Sequence, residues 1–116
     1  MDTSEKNNLS WSDFTKVEMR VGTIIEAKVF AEARNPAYQL LIDFGDFGQK
    51  KSSAQITTLY QPETLIGRQI IAVINFPPKQ IATMMSECLV LGTVGEEKTI
   101  TLLQPESVVP NGLRVG

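Results

Sequence analysis

Residues 74–82 read INFPPKQIA, and residues 84–92 read MMSECLVLG. This stretch joins one apolar strand pattern to another through a corner made by Pro77 and Pro78. Each proline holds its own φ near one value and extends the residue before it, so the corner does not continue as a helix. We therefore expect a stiff loop that presents Phe76 and Ile81, and an apolar loop presented in this way is suited to contact a partner.

Short strand patterns lie on both sides of this corner. Six segments show such a pattern, because they are rich in β-branched residues or because polar and apolar residues alternate along them. They are residues 19–29, 38–44, 50–56, 69–75, 87–94 and 99–103. Residues 69–75 and 87–94 are continuous apolar runs, as in strands that are buried on both faces. Gly22 lies inside the longest segment, where we expect a bulge or sharp bend of the kind that closes a small barrel.

Two short helices are predicted besides the strands. Ser10, with Asp13 three residues later, has the spacing of a capping box that starts a helix ending near Lys16. A second helix is expected from Pro62 to Leu65, because proline suits the first turn of a helix. Gly67 follows that segment and is expected to end it.

Length and composition indicate one globular domain. The chain has 116 residues with 42% hydrophobic content, enough for a single core. We expect a disordered tail at residues 1–10, one domain over residues 11–116 and a structured C-terminal tail. The strand order, with a small helix between the third and fourth strands, matches an all-β OB-fold, a five-stranded Greek-key barrel. By pattern alone, this fold is one candidate among several small barrels.

The residue types weigh against catalysis. There is no histidine, the commonest general base and metal ligand, and the one cysteine, Cys88, lies in an apolar run typical of a buried core residue. The sequence has no glycine-rich phosphate loop and no metal-ligand spacing. We therefore expect a protein that is not an enzyme and that uses no cofactor and no metal.

The sequence lacks the features of an exported or membrane-spanning protein. Residues 1–8 have no apolar run behind a basic start, and no stretch approaches the roughly 20 apolar residues of a membrane span. We expect a cytoplasmic protein without membrane insertion. The formal charge of -2 argues against wrapping nucleic acid over the whole surface, so RNA binding would depend on a local basic patch.

Few basic residues suit such a patch. Lys50 and Lys51 form the only adjacent pair, Arg20 begins the first strand, and Lys79 follows the proline corner. These charges either lie near one rim of a barrel that binds RNA, or they are scattered and only keep the protein soluble. The aromatic residues expected to be exposed for base stacking are Phe30, Tyr38 and Tyr60.

Four short motifs carry a resemblance to a known family. They are ARNPA at residues 33–37, KSSAQIT at residues 51–57, NFPP at residues 75–78 and VPNG at residues 109–112. With EMRVGTI at residues 18–24, they make the sequence similar to the tRNA-binding OB-fold family over about residues 12–116, and in particular to its secretion-chaperone branch. Lys79 and Ser86 match the places of a lysine and a serine in the loop of the tRNA-binding members.

The resemblance implies a function as well as a fold. It implies a homodimeric OB-fold chaperone that holds unfolded or export-bound polypeptides without ATP and keeps some capacity to bind tRNA. The alternative is an RNA-binding module that assists tRNA or a tRNA synthetase. The RNA-binding residues that we expect are Arg20, Arg34, Lys50, Lys51, Lys79 and Ser86.

Apolar residues near the proline corner are the expected peptide-binding site. They are Phe76, Pro77, Ile81, Met84 and Met85, and flexible methionines suit a surface that accepts many sequences. The same residues are alternatively a dimer contact or part of the core. Met84 and Met85 are neighbours on an extended chain, so we expect their side chains to point in opposite directions and to take different roles.

The two ends of the chain carry more apolar residues than a small closed barrel covers. These residues are Trp11, Phe14, Leu103, Val108, Val109 and Leu113. Two-fold pairing would bury them in a homodimer; alternatively, they pack on their own barrel as a plug. The resemblance favours the dimer, because in relatives the extensions outside the barrel form the interface.

Overall fold

The computed structural model describes residues 7–116. In chain order, the helices and strands of these residues are α1 (Trp11–Thr15), β1 (Met19–Val29), β2 (Tyr38–Asp43), β3 (Gln49–Ala54), α2 (Pro62–Leu65), β4 (Gln69–Val73), β5 (Lys79–Ile81), β6 (Met84–Ser86), β7 (Leu89–Val90), β8 (Gly92–Val94), β9 (Ile100–Leu102) and β10 (Arg114–Val115). The expected disordered tail at residues 1–10 falls largely on residues 1–6, outside the described part. None of the helices described is long and apolar enough to span a membrane.

The strands form one curved antiparallel sheet with two small hairpins. The sheet has the order β3-β2-β1-β4-β7, and β10 pairs with the start of β1. The hairpins are β5–β6 and β8–β9. Glu87 donates its N–H to the carbonyl of Lys51 at 2.8 Å, which joins the far side of the sheet back to β3. The sheet is thus a nearly closed barrel, which confirms the predicted all-β class.

The core lies inside this barrel, and strand alternation places the residues in it. Along β2, Leu40 and Ile42 point inward, and Phe44 follows just beyond the strand. Ile24 of β1 and Ile70 of β4 complete the centre, and all of these side chains are almost fully buried. Alternate residues of the same strands therefore face outward, where they are available for binding.

The bend in β1 does not lie where the sequence predicted a bulge. The pairing register with β2 shifts between Ile24 and Glu26, so the bulge lies at Ile25 and not at Gly22. Gly22 is required for a different reason. A Cβ atom there would lie 2.6 Å from Ile42 Cγ2 and 2.7 Å from Phe44 Cδ1, so the core reaches right up to the backbone.

The two predicted helices are confirmed. Ser10 caps α1, because its hydroxyl accepts the N–H of Asp13 at 3.1 Å. Pro62 opens α2, and Gly67 follows it with a φ of +88°, a left-handed conformation that favours glycine. The short α2 lies between β3 and β4, as the OB layout requires.

The segment from residue 79 to residue 94 departs from the prediction in two ways. The expected loop after the prolines is the β5–β6 hairpin, with Ala82 at its turn in a left-handed conformation, φ +48°. The expected strand 87–94 divides into β7 and β8, because β8 leaves the main sheet and pairs with β9. Leu89 and Val94 are exposed, so this apolar run is not buried on both faces.

The C-terminal tail is structured, as predicted, and it is tied to β1 and β4. Gly112 donates its N–H to the carbonyl of Val21 at 2.7 Å. The side-chain oxygen of Asn111 accepts the hydroxyl of Thr23 at 2.7 Å and the amide of Gln69 at 3.1 Å. Because these partners are more than 40 residues away in sequence, tertiary contacts hold the tail on the barrel.

Candidate functional site

A groove of about 520 Å³ lies on the outer face of β1, β2 and β3. Ile66, just after α2, closes one side, and the β5–β6 hairpin closes the other with Thr83 and Met84. The remaining residues that line it are Ile25, Glu26, Ala27, Lys28, Gln39, Leu40, Leu41 and Lys51. The groove therefore combines apolar, amide and charged groups on a rigid sheet.

Strand pairing sets the order of the side chains in the groove. Leu41 pairs with Glu26 on one side and with Lys51 on the other, so these three form one row across the sheet. Gln39 pairs with Lys28 and with Ser53 in the next row. Two lysines and one glutamate thus share the groove, which gives it a small positive charge beside apolar surface.

The wall beside Lys51 is fastened by side chains as well as by backbone. Lys51 donates its N–H to the Glu87 carboxylate at 2.9 Å, and Ser53 donates its N–H to the Ser86 hydroxyl at 3.2 Å. These bonds hold the hairpin strand β6 against β3. Lys51 is therefore held at the seam between the sheet and the hairpin, with its side chain exposed.

Cys88 lies behind this seam and is not placed for nucleophilic chemistry. Ser52, which is buried, donates its hydroxyl to the Cys88 carbonyl at 3.0 Å. Burial raises the pKa of the Cys88 thiol to about 12, so the thiol stays protonated at neutral pH. Within residues 7–116, no group of acidic or cysteine side chains is placed to hold a metal ion.

Three of the six predicted RNA-binding residues lie together at this seam: Lys51, Lys79 and Ser86. Lys79 pairs with Ser86 across the β5–β6 hairpin, and Ser86 is bonded to β3 two residues from Lys51. Lys50 is half-buried and points to the opposite side of β3 from Lys51, as strand alternation requires. Of the predicted set, Lys51 alone lines the groove.

The other two predicted RNA-binding residues lie elsewhere. Arg20 is half-buried and its guanidinium has internal partners: the Glu18 carboxylate at 2.9 Å, the Gly112 carbonyl at 3.3 Å and the ring of Phe47, whose centroid is 4.4 Å away. Arg34 is exposed and lines a second, shallower hollow of about 440 Å³ between residues 29–38 and Thr57. The structure therefore gives Arg20 a packing role.

One basic residue of the groove was not predicted. Lys28 lines the groove beside Lys51. The period-2 alternation of residues 26–29 contained the signal that places Lys28 on the outer face with Glu26.

The prediction that Phe30, Tyr38 and Tyr60 are exposed for base stacking was wrong, because Phe30 and Tyr38 are buried and Tyr60 is half-buried. The Tyr60 ring instead packs against the core and lies 5.4 Å from the Arg68 guanidinium carbon.

The predicted peptide-binding residues are divided between surface and core. Phe76 is 55% exposed and Met85 is 45% exposed. Met84 is only 9% exposed and packs with Phe30 and Ala37, and Ile81 packs against the same cluster. Met84 and Met85 therefore point in opposite directions, as predicted, and Met84 belongs to the core at the groove wall.

The terminal apolar residues do not form a plug in their own barrel. Trp11 is 82% exposed and Val108 is 89% exposed, while Leu103 and Leu113 are also exposed. Trp11 and Phe14 pack on each other edge to face, with their ring centroids 6.2 Å apart. Val109 is half-buried, and the Gln69 side chain bonds to both its N–H and its carbonyl.

Comparisons with known proteins match nearly the whole chain. Residues 19–114 match the model of the tRNA binding domain family. The chaperone CsaA of Bacillus anthracis has 51% identity and a TM-score of 0.90, with 94% of this chain and 99% of that chain covered. The CsaA chaperone protein of Picrophilus torridus has 47% identity and a TM-score of 0.86, covering 94% and 100%.

One curated relative is a much longer protein. The methionine–tRNA ligase of Leptospira interrogans is 32% identical over 111 residues, which are 96% of this chain but 15% of the ligase. The chain thus spans about 15% of the length of that relative.

Proposed function

This chain belongs to the tRNA-binding domain family, as its motifs predicted, and from that premise we propose that it is an ATP-independent chaperone that holds unfolded or export-bound polypeptides and retains some capacity to bind tRNA. The chaperone part is supported by the two CsaA structures, which match end to end at 51% and 47% identity. The observation that carries the proposal is the groove, which places Ile25, Leu41 and Ile66 beside Lys28 and Lys51.

A mixed groove of this kind suits an unfolded polypeptide. Apolar side chains of a client bury against the apolar residues, which stabilises the complex by roughly 25 cal/mol per Å² removed from water. Exposed Phe76, Pro77 and Met85 extend the available apolar surface outside the groove. Because the sequence carries no glycine-rich phosphate loop, we propose that clients are released passively and that the protein is not an enzyme.

The tRNA capacity is proposed for the basic side of the groove. Lys28 and Lys51 lie on adjacent rows of the sheet, and the hairpin that carries Lys79 and Ser86 borders β3 beside Lys51. Lysine binds phosphate as a compact point charge, which suits backbone contact without base recognition. Arg34 would add a contact at the second hollow, which it lines.

A second function is favoured by the methionine–tRNA ligase, whose match covers 96% of this chain. In that case the chain is a tRNA-binding module that assists tRNA or a tRNA synthetase. The two functions differ in their response to salt. Each phosphate contact contributes roughly 0.7–0.9 to the slope of log affinity against log salt, whereas apolar binding is not weakened by salt.

We also propose a homodimer in the cytoplasm, paired through the exposed terminal residues. Trp11, Val108 and Leu113 are apolar and exposed in the single chain, which is an unfavourable arrangement unless a partner covers them. Two-fold symmetry would bring two copies of the groove into one particle, which raises avidity for a long client without new contacts.

The test is a fluorescence-anisotropy titration with labelled bulk tRNA and, separately, with a labelled unfolded peptide, each at low and high salt. The chaperone proposal expects peptide binding that persists at high salt and weak, salt-sensitive tRNA binding. The double variant Lys28→Gln with Lys51→Gln should lower the tRNA slope by roughly 1.4–1.8. The control is Lys98→Gln, an exposed lysine outside the groove. Tight tRNA binding without a peptide signal would favour the second function.

A further inference from the structure

The second half of β1 has a neighbouring strand on one side only. Beyond the bulge, residues Glu26 to Val29 pair with β2, from Glu26 opposite Leu41 to Val29 opposite Tyr38. β4 pairs with β1 only as far as Thr23. Among residues 7–116, no strand pairs with the other edge of this segment.

The pairing pattern shows which backbone groups that edge presents. Phe30 donates its N–H to the carbonyl of Ala37 at 3.0 Å, so Phe30 belongs to a hydrogen-bonded pair with β2. Because such pairs alternate along an antiparallel ladder, Lys28 and Glu26 also bond to β2. Ala27 and Val29 therefore direct their N–H and C=O groups away from β2, and in the described part of the chain these groups have no hydrogen-bond partner.

This edge borders the groove. Ala27 and Lys28 line the groove, Ile66 faces them, and Val29 is 65% exposed. Edge strands commonly carry a charged residue or a bulge that prevents uncontrolled pairing. Here Lys28 lies within the edge and the Ile25 bulge ends it, so the edge is short and can accept only a few residues of another chain.

We infer that the free edge of β1 at Ala27 and Val29 binds an extended polypeptide as an added strand, whose alternate side chains enter the groove. The inference rests on the proposed function and deepens it, because it states how a client is bound. Along the edge of a strand, every second residue presents free N–H and C=O groups, and these residues lie about 7 Å apart. Any extended polypeptide presents its own N–H and C=O groups at the same spacing.

This mode of binding explains tolerance of many client sequences. Main-chain hydrogen bonds do not depend on the client's side chains, whereas the groove prefers apolar and charged ones. RNA has no alternating main-chain N–H and C=O groups, so the edge offers it no ladder. The main-chain groups of Ala27 and Val29 therefore separate the two ligands: they contribute to the binding of polypeptide and not to that of tRNA.

The test compares Val29→Pro with Val29→Ala in the full chain. Proline removes the N–H at the edge and keeps every bond to β2, because the Val29 N–H faces away from β2; proline is tolerated at such edge positions. Val29→Ala is the matched control, since it shortens the side chain and keeps the N–H. Loss of one main-chain bond together with the ring's obstruction corresponds to about a tenfold weaker affinity for a labelled unfolded peptide.

The expected result is a tenfold loss in Val29→Pro, a change below about threefold in Val29→Ala, and unchanged tRNA affinity in both. Equal peptide affinity of the proline variant and the control would overturn the inference and leave the chaperone proposal standing. No peptide binding by the unchanged protein would instead reject the proposed function itself. If sedimentation showed that Val29→Pro alters the oligomeric state, the edge would belong to a second copy of the chain, and the inference would be wrong.

A measurement on the client side covers the case in which Val29→Pro does not fold. The unchanged protein is titrated with a peptide whose consecutive central residues are N-methylated and with the same peptide unmethylated. Added-strand binding expects the methylated peptide to bind about tenfold more weakly. Equal affinity of the two peptides would show that the client's main chain makes no ladder with β1.

Discussion

Replacing Gly22 by alanine should destabilise the barrel. The new Cβ would lie 2.6–2.7 Å from the side chains of Ile42 and Phe44, both of which are fully buried and cannot move into solvent. Overpacking of this kind costs about 1–3 kcal/mol. The φ of Gly22 is not in the left-handed region, so alanine also restricts the unfolded chain, which stabilises by about 0.4–1 kcal/mol.

The clash outweighs the entropy, because two rigid core side chains oppose the same atom. The net loss in free energy of unfolding should be about 1–2 kcal/mol, or roughly 4–8 °C in Tm for a chain of this size. Urea and thermal unfolding followed by circular dichroism measure it. Gly95→Ala is the control, since Gly95 is exposed in a hairpin turn and its nearest contact is the Thr99 carbonyl at 3.1 Å. A Gly22→Ala protein as stable as the unchanged one would refute the argument.

Three further predictions concern the surface and the core. Phe76→Ala should weaken the suppression of client aggregation while leaving the dimer intact on sizing chromatography; loss of the dimer would instead place Phe76 in the interface. Trp11→Ala should shift the sedimentation coefficient towards the monomer at concentrations where the unchanged protein is dimeric, and an unchanged coefficient would remove α1 from the interface. Burial in the folded state raises the pKa of Cys88 from 9.0 to about 12, so the contribution of this thiol to stability should be fully present below about pH 9 and be lost as the pH rises from there towards 12, because the unfolded state releases its thiol proton first. Cys88→Ala should remove this part of the alkaline loss of stability in urea titrations.

Local signals in the sequence predicted the secondary structure well. The Ser10 cap, the Pro62 helix start and the alternation of residues 38–44 each depend on a few neighbouring residues, and each is confirmed. The opposite directions of Met84 and Met85 follow from the same alternation.

Positions that depend on distant residues were predicted less well. The bulge at Ile25 is a matter of register between β1 and β2, which no local pattern of β1 reveals. Arg20 looked like a free charge at the start of a strand, but its partners include Gly112, which is 92 residues away. The run 87–94 looked like one buried strand, yet β8 turns out of the sheet to pair with β9.

The sequence by itself determined the family, the barrel class and the short helices, because motifs and periodicity are local properties of the chain. Only the tertiary structure decided where the groove lies and that Lys28 joins Lys51 in it, since cross-strand pairing places them there. The free edge at Ala27 and Val29 is likewise a tertiary property. It exists because β4 pairs with the first half of β1 alone and the bulge changes which residues face outward afterwards.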